Sequence, residues 1–293
     1  MVRSERMEFT NAHGEVLAGR FERPAGPTRA TALFAHCFTC SKDMAAATRI
    51  SRELSERGIA VLRFDFTGLG HSEGEFANTN FSSNTDDLVR AAEHLESLGH
   101  APSLLIGHSF GGAAVLRVAP RIPSVRAIAT IGAPADLNHL RQQFRCEIAE
   151  IESNGSAKVE LAGREFEIKK QFLDDLDGQN LLAGLGDLHV ATVIFHSPID
   201  NVVGIDNAAK IYAALKHPKS FITLDDADHL LTKKADAEYV ADVLAAWADR
   251  YLPDAEDPMT TPPGEVVVEQ DRGSFLTHVT AGNHRFLADE PRR

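Results

Sequence analysis

Residues 103–118 fix the fold more tightly than any other stretch of the chain. Ser103-Leu-Leu-Ile106 is an apolar strand, and Phe110 to Val118 has a helical pattern. Between them lie only Gly107-His108-Ser109, with Gly111 and Gly112 opening the helix. A strand that passes into a helix this abruptly makes a turn with no room for β-carbons beside it. The turn lifts the Ser109 hydroxyl above the strand ends and sets it at a helix N-terminus. A sheet that sends each strand straight into a helix is a parallel one, covered on both faces.

The rest of the chain keeps that rhythm. Met7–Phe9 and Val16–Phe21 read as an opening antiparallel pair around Asn11-Ala-His-Gly14. Strands follow at Thr31–Ala35, Ile59–Phe64, Val125–Ile131, Val190–Phe195 and Ser220–Leu224. Helices are expected at Met44–Arg57, Thr85–Leu98, Ile205–Leu215 and Ala235–Tyr251. The fold class is therefore α/β, with a mainly parallel sheet and helices on both faces.

Two stretches interrupt it. Residues 136–187 hold no βαβ unit. Lys158–Leu161 and Glu165–Ile168 alternate polar with apolar around Ala162-Gly163-Arg164, which predicts a hairpin with one apolar face, followed by a short helix over Gln171–Leu182. This insertion is expected to be a lid, with Phe166 and Ile168 contacting substrate. Residues 253–265 are acidic and Pro-rich and read as a linker. Beyond them, 266–293 is a β-rich tail without a helix. The domain reading is thus 1–252, a linker, and a tail whose exposed strand edges would seek a partner, giving a homo-oligomer through the tail.

A serine hydroxyl needs a base, and the base needs an orienting acid. His229 stands just past the last strand of the main domain, in Leu224-Asp-Asp-Ala-Asp-His229. Asp200 stands just past the preceding strand, in Val193-Ile-Phe-His-Ser-Pro-Ile-Asp200. Asp206 is the rival acid, although it starts a helix, where an Asp suits the dipole. Asp225, Asp226 and Asp228 read as a solvated loop. Two backbone N–H groups would hold the oxyanion of a tetrahedral intermediate: that of Phe110, after the serine, and that of Phe38, with Thr39 as second choice, in the loop after the third strand.

Cys37-Phe-Thr-Cys40 in that same loop has the spacing of a redox pair. No second Cys or His pair with ligand spacing follows, so the residues read as two small side chains in a tight loop. Three cysteines in a large domain give no disulfide framework.

Charge narrows the partners. Lys plus Arg is 30 against 42 for Asp plus Glu, a net charge of −12. That balance opposes nucleic acid or an anionic membrane as a partner. There is no apolar run long enough to span a bilayer and no signal-peptide core at Met1–Arg6, so a cytoplasmic location is the default expectation. No metal or organic cofactor is implied.

Gly107-His-Ser-Phe-Gly111, the order Ser109, Asp200, His229, and Arg63-Phe-Asp-Phe-Thr-Gly-Leu-Gly-His-Ser72 together resemble the α/β-hydrolase superfamily over Met7–Leu252. The resemblance implies a serine carboxylesterase acting on small to medium acyl or aryl esters, and it gives Asp65 a bracing role near the nucleophile. His36-Cys37 departs from the usual His-Gly. The insert around Gly163–Asp175 resembles the small lid of cinnamoyl and feruloyl esterases. Val266–Glu269 and Thr280–Pro291 resemble the first strands of OsmC-like domains fused to such hydrolases, without any catalytic cysteine of that domain. A thioesterase, peptidase, perhydrolase or acyltransferase would use the same triad, and a non-catalytic ligand-binding module is the reading from another class. A dehalogenase is disfavoured, since it wants a carboxylate where Ser109 stands.

Overall fold

A computed structural model describes residues 2–137, 140–141, 144–161, 163–252, 265–270, 277–281 and 284–288. The strands are β1 (Arg3–Thr10), β2 (Val16–Arg23), β3 (Ala30–Ala35), β4 (Ile59–Phe64), β5 (Leu104–His108), β6 (Ala127–Ile131), β7 (Ser156–Leu161), β8 (Arg164–Lys169), β9 (Ala191–His196), β10 (Lys219–Thr223), β11 (Val266–Gln270), β12 (Thr277–Ala281) and β13 (His284–Ala288). The described helices are α1 (Ala45–Glu56), α2 (Phe81–Ser97), α3 (Phe110–Val118), α4 (Ile148–Asn154), α5 (Lys170–Gly178), α6 (Asp206–Ala214) and α7 (Lys234–Ala248).

Eight strands form one sheet in the order β1-β2-β4-β3-β5-β6-β9-β10. The β1–β2 and β2–β4 pairs are antiparallel, and every pair from β4 through β10 is parallel. Buried on both faces, β3, β4, β5, β6 and β9 have no exposed position. That is why they read as unbroken apolar runs rather than as alternating ones. The sheet separates two apolar clusters: Leu33, Leu62, Leu105 and Ile128 face α2 and α3, whereas Phe34, Val61, Ile106 and Phe195 face α1 and α7.

Helices α5 and α7 end at Gly178 and Ala248, short of the expected Leu182 and Tyr251, and two further helices also differ from expectation. Helix α2 begins at Phe81 rather than Thr85. Asn80 accepts from the Ser83 N–H and Ser83 Oγ accepts from the Asn80 N–H, so a capping box adds a turn. Helix α4 was not foreseen. It lies in the insertion, ends at Gly155 in the left-handed region, and buries Ile151 alone, which is too short an apolar signal to register.

Strands β7 and β8 form the expected hairpin, pairing Val159 with Phe166 and Ala157 with Ile168. Ala162 lies outside the described residues, as does all of the expected linker except Glu265. The tail forms its own three-stranded antiparallel sheet, β11-β12-β13, with Val268, Val279 and Phe286 in register. Among the described residues no helix is long and apolar enough to cross a membrane.

Candidate active site

Three strand ends bring Ser109, Asp200 and His229 together. Ser109 follows β5 with φ 54° and ψ −120°, outside the comfortable region for any L side chain. The strain persists because its surroundings leave no alternative. A β-carbon on Gly107 would lie 2.2 Å from the Gly111 carbonyl oxygen, and one on Gly111 would lie 2.2 Å from the Ala35 oxygen. The Ser109 N–H donates to the Ile131 carbonyl at 2.8 Å, tying the turn to β6.

Asp200 follows β9. Its Oδ1 accepts the N–H groups of Val202 and Val203, both at 2.9 Å, and its Oδ2 lies 2.7 Å from His229 Nδ1. Burial alone would raise the Asp200 pKa. The His229 hydrogen bond and the two N–H donors outweigh burial and hold it below the ordinary carboxylate value. His229 follows β10, and its Nε2 lies 2.9 Å from Ser109 Oγ. With Nδ1–H donating to the carboxylate, Nε2 is left to accept the serine proton. The three residues are 5%, 9% and 9% exposed, so the array is shielded yet reachable.

Asp206 stands apart. It is exposed at the start of α6 and pairs with Lys210 at 2.8 Å. Asp225, Asp226 and Asp228 are exposed, and Asp228 turns back to the Thr232 N–H.

His108, the variable position of the turn, carried no signal in the sequence beyond its spacing. It is fully buried, and its Nε2 meets the His229 carbonyl at 2.7 Å, so it fixes the backbone of the base. Burial, then the neighbouring His229, pushes its pKa down to about 4, which keeps it a neutral donor. His196 props the acid loop the same way, with Nε2 2.7 Å from the Val203 carbonyl.

The loop after β3 runs from His36 to Lys42 and is anchored at both ends by buried polar groups. His36 Nε2 accepts the Phe66 N–H at 3.4 Å, which leaves Nδ1–H to donate to the Cys37 carbonyl at 2.8 Å. At the other end Asp65 accepts the Lys42 N–H at 2.6 Å, its Nζ at 2.8 Å and the His71 N–H at 3.0 Å. Asp65 thus has the bracing role expected of it. Arg63 adds a hydrogen bond to the Lys42 carbonyl and is paired with buried Glu22 at 2.7 Å.

Between the anchors, Phe38 places its ring among Phe76, Phe110, Phe144 and Phe172, 5.4 Å from the Phe110 ring. The side chains of the two expected oxyanion donors are therefore in contact. The Phe38 and Phe110 N–H groups have no acceptor among the described residues, and Phe110 opens α3, where the helix dipole favours negative charge.

The cysteine pair corrects the sequence reading. Cys37 and Cys40 are joined by a disulfide, with Cα atoms 5.3 Å apart. The turn closed by the Cys40 N–H on the Cys37 carbonyl brings them within bonding range, a proximity that spacing alone does not reveal. Cys146 is free and exposed.

The hairpin meets this loop. Arg164 donates to the Thr39 carbonyl and stacks over Phe166, whose ring lies 4.8 Å from that of Phe76. Phe166 is half-buried. Ile168, the other expected substrate contact, is 2% exposed and packs in the cluster with Val159 and Phe172. Among the described residues no group of three or more His, Cys, Asp or Glu could hold a metal ion.

An eight-stranded, mainly parallel sheet with a strained serine turn beside a histidine and an acid defines a hydrolase of the α/β class. The chain belongs to the alpha/beta hydrolase family, whose model matches residues 32–292. It is 48% identical to the esterase domain of a Rhodothermus marinus protein, with TM-score 0.71, covering 85% of this chain and 99% of that one. It is also 25% identical to the uncharacterized protein YfhR of Escherichia coli K12 over 78% of this chain and 74% of that protein. It is 25% identical to the mouse mitochondrial palmitoyl-protein thioesterase ABHD10 over 61% and 62%.

Proposed function

We propose that the chain is a serine carboxylesterase that hydrolyses small to medium acyl or aryl esters through an acyl-enzyme on Ser109. One observation carries the reading: His229 bridges Ser109 Oγ at 2.9 Å and Asp200 Oδ2 at 2.7 Å with opposite ring nitrogens. His229 takes the serine proton as Oγ attacks the ester carbonyl, then passes it to the leaving alcohol. Asp200, already ionised, holds the tautomer and stabilises the imidazolium. The N–H groups of Phe38 and Phe110 receive the oxyanion. Water then repeats the sequence and releases the acid. The likeness to an esterase domain at 48% identity supports ester rather than amide cleavage.

In this reading the β7–β8 hairpin is the lid, and Phe166 is its contact with the acyl or aryl group. The ring is half-buried against Phe76, at the edge of the aromatic cluster that includes Phe38. A thioesterase is the second reading, favoured by the similarity to ABHD10.

Fluorophosphonate titration should label Ser109 stoichiometrically, and Ser109→Ala should lower turnover at least about 10⁴-fold with the fold intact. A panel of p-nitrophenyl esters of rising chain length, methyl ferulate and an acyl thioester, compared by kcat/KM, separates the two readings. Labelling at another serine would move the nucleophile.

A further inference from the structure

The Cys37–Cys40 disulfide spans Phe38 and Thr39, the part of the loop in which the proposed oxyanion donor lies. The ends of that loop are held by His36, Asp65 and Arg63, none of which depends on the cross-link. Its centre is held differently. Thr39 has φ 59°, a conformation that a β-branched residue adopts only under constraint. The bond across it closes the turn on its own two flanks.

We propose that Cys37 and Cys40 are a redox site that sets esterase activity, closed as a disulfide in the active form and opened by a dithiol reductant. The proposal rests on the ester-cleaving reading of Ser109. The two sulfurs are unequally reachable: Cys37 is 4% exposed and lies against Met44, with Sγ 3.2 Å from its Sδ, whereas Cys40 is half-buried. An incoming thiolate therefore attacks Cys40 Sγ, breaking the Cys37–Cys40 bond and releasing the Cys37 thiolate, which takes up a proton. The second thiol of the donor attacks the mixed disulfide, expels Cys40 as thiol and leaves the donor as a disulfide. Two electrons and two protons pass to the pair, and exchange with an oxidised dithiol reverses both steps.

Once open, the turn keeps only the Cys40 N–H bond to the Cys37 carbonyl and the Arg164 contact, and Thr39 is freed to leave the left-handed region. As it relaxes, the Phe38 N–H, the proposed oxyanion donor, is no longer held in one orientation. The loop ends, the aromatic cluster and the triad stay in place. Substrate binding is then little changed while stabilisation of the oxyanion is lost, an effect on kcat rather than KM. In a reducing compartment disulfides in proteins are commonly transient or sensing, which suits a cross-link beside reaction machinery.

The test uses the full chain carrying Cys146→Ser, because Cys146 is exposed and would otherwise confuse thiol counts. Dithiothreitol is titrated in, free thiols are counted, and p-nitrophenyl acetate turnover and far-UV circular dichroism are followed. Appearance of two thiols should lower kcat about tenfold or more, with KM within about threefold and the dichroism unchanged. Oxidised dithiothreitol should restore the rate. Adding Cys37→Ser and Cys40→Ser should fix the low rate under both conditions. Unchanged or higher kcat after two thiols appear, a loss that reoxidation does not reverse, or a pair that resists excess dithiothreitol overturns the switch. A fully active protein indifferent to reduction removes only the switch. An oxidised protein that neither cleaves esters nor labels at Ser109 removes the esterase reading with it.

Discussion

The turns at Ser109 and at Thr39 carry the same kind of strain and are held by different means. Each places a non-glycine residue in the left-handed region, with φ 54° and 59°. At Ser109 the restraint is steric and inherent in the fold. Gly107 and Gly111 sit so close to neighbouring backbone that strand, turn and helix have one arrangement. At Thr39 a single backbone hydrogen bond, Cys40 N–H to the Cys37 carbonyl, is supplemented by side chains: a disulfide, the ring cluster around Phe38 and an arginine from the hairpin. The first turn cannot change without unfolding the domain. The second can change while the domain stands.

The comparison has meaning only if Ser109 is the reacting group. Asp200→Asn should lower kcat about 10⁴-fold, because the wrong imidazole tautomer then faces the serine. Asp206→Asn, at an exposed ion pair, should stay within about twofold. Steady-state kinetics of the two variants decide this, and equal losses would dissolve the comparison.

Gly111→Ala tests the rigid side. Its β-carbon would press on the Ala35 and His36 carbonyl oxygens at 2.2 and 2.6 Å. A loss of more than about 4 kcal/mol is expected in urea unfolding, enough to leave little folded protein.

Asp87 braces the chain just beyond Asp65, an anchor of the softer loop. It accepts the Thr67 N–H at 3.0 Å, two residues beyond Asp65. Burial, aided by nearby Asp86 and Glu15, raises its pKa from 3.8 to about 6. The folded state therefore binds this proton more tightly than the unfolded one. The resulting stability is complete below pH 4 and is lost as the pH rises to about 6. Asp87→Asn should gain up to about 3 kcal/mol over the parent at pH 7 and nothing at pH 4. Buried His108 has the opposite slope, losing stability as the pH falls towards 4, but it is common to both proteins and cancels in the difference.

Thr39→Gly should have the smallest effect on stability, within about 1 kcal/mol by thermal unfolding, since glycine accepts this conformation freely. Ester turnover should still fall severalfold. A large destabilisation would make the two turns alike.

What the sequence discloses follows the same division. Ser109 was legible because a steric requirement leaves glycines at fixed positions, and Asp200 and His229 because strand ends have an order. The N-terminal shift of α2 was hidden in Asn80 and Ser83, whose reciprocal bonds exist only once the turn forms. The disulfide was missed because a Cys-x-x-Cys spacing serves equally for two unbonded small residues, and only the folded turn brings the sulfurs together. The roles of Lys42, His108 and Arg164 carried no sequence signal of their own. Their partners, Asp65, the His229 carbonyl and the Thr39 carbonyl, are far away in the chain.

Arg164 stands at the tip of the β7–β8 hairpin, and its guanidinium ends on the backbone of Thr39. The β7–β8 hairpin is therefore tied to the loop after β3 through one side chain. A hairpin transplanted from a relative would keep that contact only if it brought an arginine at this position, and without one the recipient should lose rate. Library designs that shuffle caps in such scaffolds should carry residue 164 with the body of the enzyme rather than with the insert.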